Sequence, residues 1–304
     1  MNGEGWLWIP IVLAAAAAQT IRNAAQRSLV KSVGTLAATL VRFIYGLPFA
    51  LAALAAIAVV VPGRLPEAQP TFTLWAGLGA VAQLAATAFL IAAMEKRSFV
   101  VAVAFSKTEI IQVGIYSIVL LGEPLSAAGV AAIVLASVGV ALLSVKPEAE
   151  RGSGLASWFS SAALLGLASG GGFALSAVAY RAAVLSLAHP LPWVAGAYLL
   201  VCAQALQSVL LGGYLAWRDR ARLLQVLVEW RVSTLAGAMG AVASFGWFTA
   251  FAMRSAVDVR IVGLVEVIYS YALSRRFFAE RVTRAEVWGI LLVLVGIVTV
   301  SALR

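Results

Sequence analysis

Cysteine, histidine and acidic side chains are all scarce in this sequence. A single cysteine, Cys202, in 304 residues leaves no disulfide framework and no cysteine metal cluster. A single histidine, His189, removes His-rich metal sites and most imidazole acid–base catalysis. Charged residues make up 12% of the chain, about half of the roughly 25% usual in a soluble domain. Hydrophobic residues make up 62%, and the mean hydropathy is +0.98. Those absences exclude an ordinary globular enzyme, a disordered chain, a metalloprotein and a nucleic-acid binder. The net charge of +9 comes from 22 basic against 13 acidic residues, and the cations stand between long apolar runs. That is the pattern of topology determinants in an integral membrane protein.

A spanning helix needs about 20 apolar residues. Broken at charge clusters, Pro and Gly, the chain yields ten such runs: 6–25, 34–61, 72–94, 99–121, 125–145, 157–180, 191–216, 232–253, 257–274 and 284–303. The connections are short, and none holds a soluble domain. The longest, Arg218 to Arg231, carries Leu223, Leu224 and Leu227 and reads as a short interfacial helix. The start, Met1 to Gly5, lacks the basic region of a cleaved signal, so the first run is expected to be retained.

The two halves match one another. Glu109, Gly122-Glu123, Ser126, Gly139 and Ser144 align without a gap on Glu266, Ala279-Glu280, Thr283, Gly296 and Ser301, always 157 residues apart. The same shift lays Arg97-Ser98 on Arg254-Ser255. Two glutamates and an Arg-Ser pair in one register point to an internal duplication, 1–147 and 148–304, of five runs each. Five is odd, so the second copy would lie inverted in the membrane. Of the 22 basic residues, 15 are assigned to loops after odd-numbered runs and 5 to loops after even-numbered ones or the C-terminus, with Arg42 and Lys107 inside runs. Arg22, Arg27 and Lys31 count among the 15, and Arg254 and Arg260 among the 5. The bias gives each copy opposite orientation. Taken literally, it puts both termini outside the cytoplasm.

Ten helices in two five-helix halves resemble the drug/metabolite transporter superfamily, specifically its EamA-type members, over essentially the whole chain. The specific part is the end of each repeat: Arg-Ser, a small-residue run, a central Glu, Gly-Glu or Ala-Glu, then a Gly-containing last helix. In that family the central Glu is commonly followed by Pro, where Ile110 and Val267 stand here. The resemblance implies a secondary transporter, usually an exporter of metabolites, amino acids or drugs, with a cavity between the halves.

Several residues would carry chemistry inside the membrane. Glu109 and Glu266 fall near the middle of the fourth and ninth runs, where a carboxylate costs about 2.5–3.5 kcal/mol on insertion scales. They are a proton-coupling or cation-binding pair, or else protonated pins between helices. Lys107, two residues before Glu109, would lie about 200° away on a regular helix. It forms a structural ion pair with another helix or holds a substrate carboxylate. Arg42 needs a fixed anion, carbonyls or water, because its guanidinium keeps its charge. Gln112 and Tyr116 follow Glu109, and Tyr269 and Ser270 follow Glu266, at helical spacing. Gln19 and Asn23 on the first run, Gln83 and Thr87 on the third, and Ser244, Trp247 and Thr249 on the eighth extend a polar path. Each single ring suits packing as well as cation–π contact. Gly170-Gly171-Gly172 favours helix packing over bending. Glu123 and Glu280 read as caps, and His189 as a loop residue.

The expectation is therefore an all-α, ten-span protein of two inverted repeats, without catalytic residues, cofactor or metal. It would sit in the plasma membrane as a multi-pass protein, the inner membrane in a bacterium. Its partners would be a small molecule, protons and lipids, a monomer sufficing and a dimer remaining open. The activity would be proton-coupled export, as proton antiport, of an amino-acid-like, zwitterionic or cationic amphipathic metabolite by alternating access. The alternative is an uncoupled facilitator or lipid flippase.

Overall fold

The computed structural model describes residues 6–61, 65–96, 99–143 and 161–278, together with 287–289, 291–292, 294–296 and 298. The described residues form helices and connections, with no strand among them. In order these are α1 (Trp8–Val33), α2 (Thr35–Ile44), α3 (Leu47–Val60), α4 (Pro70–Lys96), α5 (Phe99–Ser106), α6 (Glu109–Leu121) and α7 (Ala127–Leu143). They continue with α8 (Ser161–Ser186), α9 (Pro192–Arg218), α10 (Arg220–Val228), α11 (Trp230–Met253), α12 (Ala256–Val262) and α13 (Val265–Phe278). The divide expected at 147/148 and most of the tenth run lie outside the described residues.

Five helical units are long and apolar enough to cross a bilayer: Thr35–Val60, which joins α2 to α3, and α4, α8, α9 and α11. Polarity runs from outside to inside, the reverse of a soluble protein. Val59 is 87% exposed, Trp217 82% and Val119 71%, whereas Arg22 and Gln26 are fully buried. Helix α3 buries only Ala50, while α1 buries Gln19, Thr20, Arg22, Asn23 and Gln26. Such an inversion is stable only where the surroundings are apolar and the centre supplies polar partners.

With lipid outside, association rests on close packing rather than on hydrophobic burial, so small residues line the contacts. Helix α1 lies along α11 and α8 along α4. A Cβ on Gly246 would come within 2.8 Å of the Ala15 side chain, and one on Gly172 within 2.8 Å of the Ala86 side chain. Helix α8 passes unbroken through Gly170-Gly171-Gly172, so the triplet is packing surface and not a bend. Helix α1 also continues past residue 25 to Val33, about 39 Å at 1.5 Å per residue. Arg22 therefore sits within a helix and faces protein. The second run is interrupted at Tyr45-Gly46, where Pro48 has no N–H to offer the Ile44 carbonyl. Helix α10 is the short helix expected after Arg218; Asp219 accepts from Arg222 N at 3.2 Å, and Leu224 and Leu227 are exposed.

Candidate functional site

The fourth and ninth runs are both broken at their centres, although neither contains proline. Helix α5 starts at Phe99 and α12 at Ala256, which are 157 residues apart. Each ends in a turn tightened by i→i+3 bonds: Ile110 N to Lys107 O at 3.3 Å, and Val267 N to Leu264 O at 2.9 Å. Those two bonds again differ by 157 in both donor and acceptor. At the break between α5 and α6 the Ser106 and Thr108 hydroxyls donate to the carbonyls of Val103 and Phe105, offering the backbone a local alternative to the helix. At the break between α12 and α13 Gly263 supplies the weak point. A Cβ there would come within 2.6 Å of the Trp247 ring. Across the first break lies Gly170, whose absent side chain leaves room for Ser106 O and the Glu109 backbone.

The breaks begin two new helices, α6 and α13, with Glu109 and Glu266 in their first turns. Carboxylates there face the positive end of the helix dipole. The two meet through one ammonium. Lys107 Nζ lies 3.3 Å from Glu109 Oε1 and contacts Glu266 Oε2 directly. The 200° separation expected for Lys107 and Glu109 fails because the chain between them is not regular helix. Lys107 thus makes the ion pair that was one of its two expected roles. Glu266 Oε2 also accepts from Gln19 Nε2 at 2.7 Å, and Oε1 from Asn23 Nδ2 at 2.9 Å. Trp247 Nε1 donates to Gln19 Oε1 at 3.0 Å and so orients that amide. All of these side chains are at least nine-tenths buried.

Two further cations join the cluster, and the sequence reading had assigned both to loops. Arg260 lies buried on α12, 3.7 Å from Glu109 Oε1, with its guanidinium 4.9 Å from the Trp247 ring centre. Arg22 directs Nε and NH2 at Asn23 Oδ1, at 3.3 and 2.7 Å. The signal for Arg22 was its place among Gln19, Asn23 and Gln26 on one helical face. For Arg260 it was isolation in an apolar stretch six residues before Glu266. Arg42 takes neither a glutamate nor any carboxylate of the described residues. It donates to the Thr87 hydroxyl at 2.9 Å and the Ser244 hydroxyl at 3.4 Å. Thr87 and Ser244 are themselves 157 apart.

Gln83 belongs to a separate, uncharged network: Tyr180 donates to Gln83 Oε1 at 3.2 Å, and Gln207 Nε2 to the same oxygen at 2.9 Å. Tyr180 and Gln207 were not expected there. Gln112 packs against Gly171, and Tyr116 and Tyr269 rest on the main core cluster. Ser270 is buried without a hydroxyl partner among the described residues, as is Thr249. These five do not hydrogen-bond the charged cluster. Glu123 pairs with Arg181 at 3.0 Å, while Ser126, rather than Glu123, caps α7 by accepting from Gly129 N at 3.1 Å. Glu280 lies outside the described residues. His189 accepts from Leu191 N at 3.2 Å in the α8–α9 turn. Among the described residues no three His, Cys, Asp or Glu side chains converge to hold a metal.

No family model matches the chain, and no curated protein matches it. A solved structure described as "Crystal structure of protein" superposes with a TM-score of 0.69, spanning 97% of this chain and 96% of that one at 18% identity. At that identity the likeness is one of fold, carried over almost the whole length of both chains.

Proposed function

We propose that the chain is a ten-span secondary transporter of the drug/metabolite type, built of two inverted five-helix repeats, which moves a small metabolite by proton-coupled alternating access. One observation carries this: a carboxylate from each of two centrally broken helices converges on a single buried lysine. Matching turn bonds at a spacing of 157 support the repeat. So does the reciprocal packing of α1 on α11 and α8 on α4. Broken helices that bring ion-binding groups to the interface of two repeats are the recurrent solution for substrate sites in transporters.

Chemically, one ammonium shared by two carboxylates makes a switch. A proton on Glu109 removes its claim on Lys107 and leaves the lysine to Glu266; loss of that proton restores the bridge. The bridge joins α5–α6 to α13, so its making and breaking changes what ties the two proposed halves together. The test is flux in proteoliposomes under an imposed pH gradient. Glu109→Gln is expected to abolish the response to the gradient while substrate counterflow persists. Undiminished proton-driven flux in both Glu109→Gln and Glu266→Gln would sink the assignment, and counterflow insensitive to pH in the wild type would point to a facilitator instead.

A further inference from the structure

The buried charges of the described residues do not balance. Seven charged side chains are buried among the described residues: Arg22, Arg42, Lys107 and Arg260 against Glu109, Asp258 and Glu266. Even with every carboxylate ionised, one positive charge is left over, and a proton on either glutamate adds another. The surplus is local. Glu266 is already engaged by Lys107, Gln19 and Asn23, and Glu109 by Lys107 and Arg260. Arg22 and Arg42 have no carboxylate of a described residue within ion-pair distance. Arg22 spends two N–H groups on one neutral amide oxygen, and its NH1 has no hydrogen-bond partner among the described residues. Arg42 holds two hydroxyls, and its Nε has none.

These two guanidinium stems converge on one point of α11. A Cβ on Gly240 would lie 3.3 Å from Arg22 Cδ and 3.4 Å from Arg42 Cβ. Two permanent cations at membrane depth, their side chains flanking one residue of α11 and each with an idle donor, need an anion to compensate them. Guanidinium forks match the paired oxygens of carboxylates and phosphates. We propose that the transported ligand is a small anion bearing a carboxylate or phosphate, and that Arg22 and Arg42 bind that group. This rests on the transporter reading and replaces the expected amino-acid-like, zwitterionic or cationic amphipathic metabolite with an anion. Lys107 and the glutamates are left to the proton.

The test is thermal unfolding of the full chain, purified in detergent, with ionic strength held constant by sodium chloride. The probes are succinate, inorganic phosphate, choline, and micelles doped with phosphatidylglycerol. Succinate or phosphate at a hundredfold excess over Kd is expected to raise the midpoint by about 5 °C, and choline to leave it unchanged. Arg22→Gln and Arg42→Gln should each weaken the anion at least tenfold. Stabilisation by choline alone or by the lipid alone overturns the proposal, as does an anion effect retained in the double variant. Should the variants not fold, the wild-type panel still decides the sign of the ligand. Anion binding without proton-driven flux would remove the transporter and leave the anion site standing; proton-driven flux with cation-only binding would do the reverse.

Discussion

Glu109 and Glu266 stand 157 residues apart, each in the first turn of a helix that begins at a central break. Their surroundings have nonetheless diverged. Glu266 receives Gln19, Asn23 and Lys107 across both oxygens. Glu109 shares Oε1 between Lys107 and Arg260, and its Oε2 has no partner among the described residues. Glu109 thus keeps one oxygen without a partner among the described residues, whereas both oxygens of Glu266 already accept hydrogen bonds. The difference arises in the neighbouring helices. Asn23 and Gln83 have Tyr180 and Gly240 as their counterparts at the same spacing, and Gln19 has Ser176. The side of Asn23 and Gly240 holds the charged cluster, while the side of Tyr180 and Gln83 holds a neutral hydrogen-bonded set. The two backbone breaks are thus alike while the two carboxylates differ, one held at both oxygens and one held at a single oxygen.

The harshest trial of this comparison is Lys107→Met, which leaves two buried carboxylates facing one another. Removing one partner of a buried charge set costs about 3–5 kcal/mol. The expected result is a fall of at least 6 °C in the unfolding midpoint, restored in good part by adding Glu266→Gln. No rescue by the double variant would mean that Lys107 stabilises by packing alone. Next in size is the contrast between the two single glutamine variants. Glu266→Gln should destabilise by about 2–3 kcal/mol, because charge-assisted bonds to Lys107, Gln19 and Asn23 are all weakened. Glu109→Gln should cost less, about 1–2 kcal/mol, because its contacts to Lys107 and Arg260 are longer, at 3.3 and 3.7 Å. Equal midpoints for the two variants would erase the distinction between the two carboxylates.

The burial of Glu109 and Glu266 was legible in the primary structure, because a carboxylate in the middle of an apolar run must find partners inside the protein. The apolar runs located the helices for the same reason that polar groups are costly in lipid. Two things were not legible. The breaks lack proline and depend instead on Ser106, Thr108 and Gly263, residues compatible with unbroken helix elsewhere, and on room made by Gly170 in a distant segment. Arg22 and Arg260 fall inside the runs 6–25 and 257–274 yet were counted with the loops, because cations ordinarily end apolar runs. Their burial depends on Asn23, Glu109 and Trp247 arriving from tertiary structure, which spacing along one helix does not disclose. Arg42 was placed within a run, but its partners are two hydroxyls on separate helices rather than a fixed anion, carbonyls or water.

The smallest effect tests the neutral side. Tyr180 buries its hydroxyl between Gln83 and Gln207, at 3.2 and 3.3 Å, and its ring fills the space that Gly79 leaves open. Tyr180→Phe keeps the ring and removes the hydroxyl. Gln207 Nε2 still has Ala80 O at 3.0 Å and Gln83 Oε1 at 2.9 Å, so no donor is orphaned and the loss should be about 1 kcal/mol. Since no charged group hydrogen-bonds this network, the dependence of flux on the pH gradient should be unchanged, with a midpoint lower by about 2–4 °C. A shifted pH profile in Tyr180→Phe would show that the neutral side takes part in proton movement after all. The two sides would then differ in the identity of their groups but not in their role.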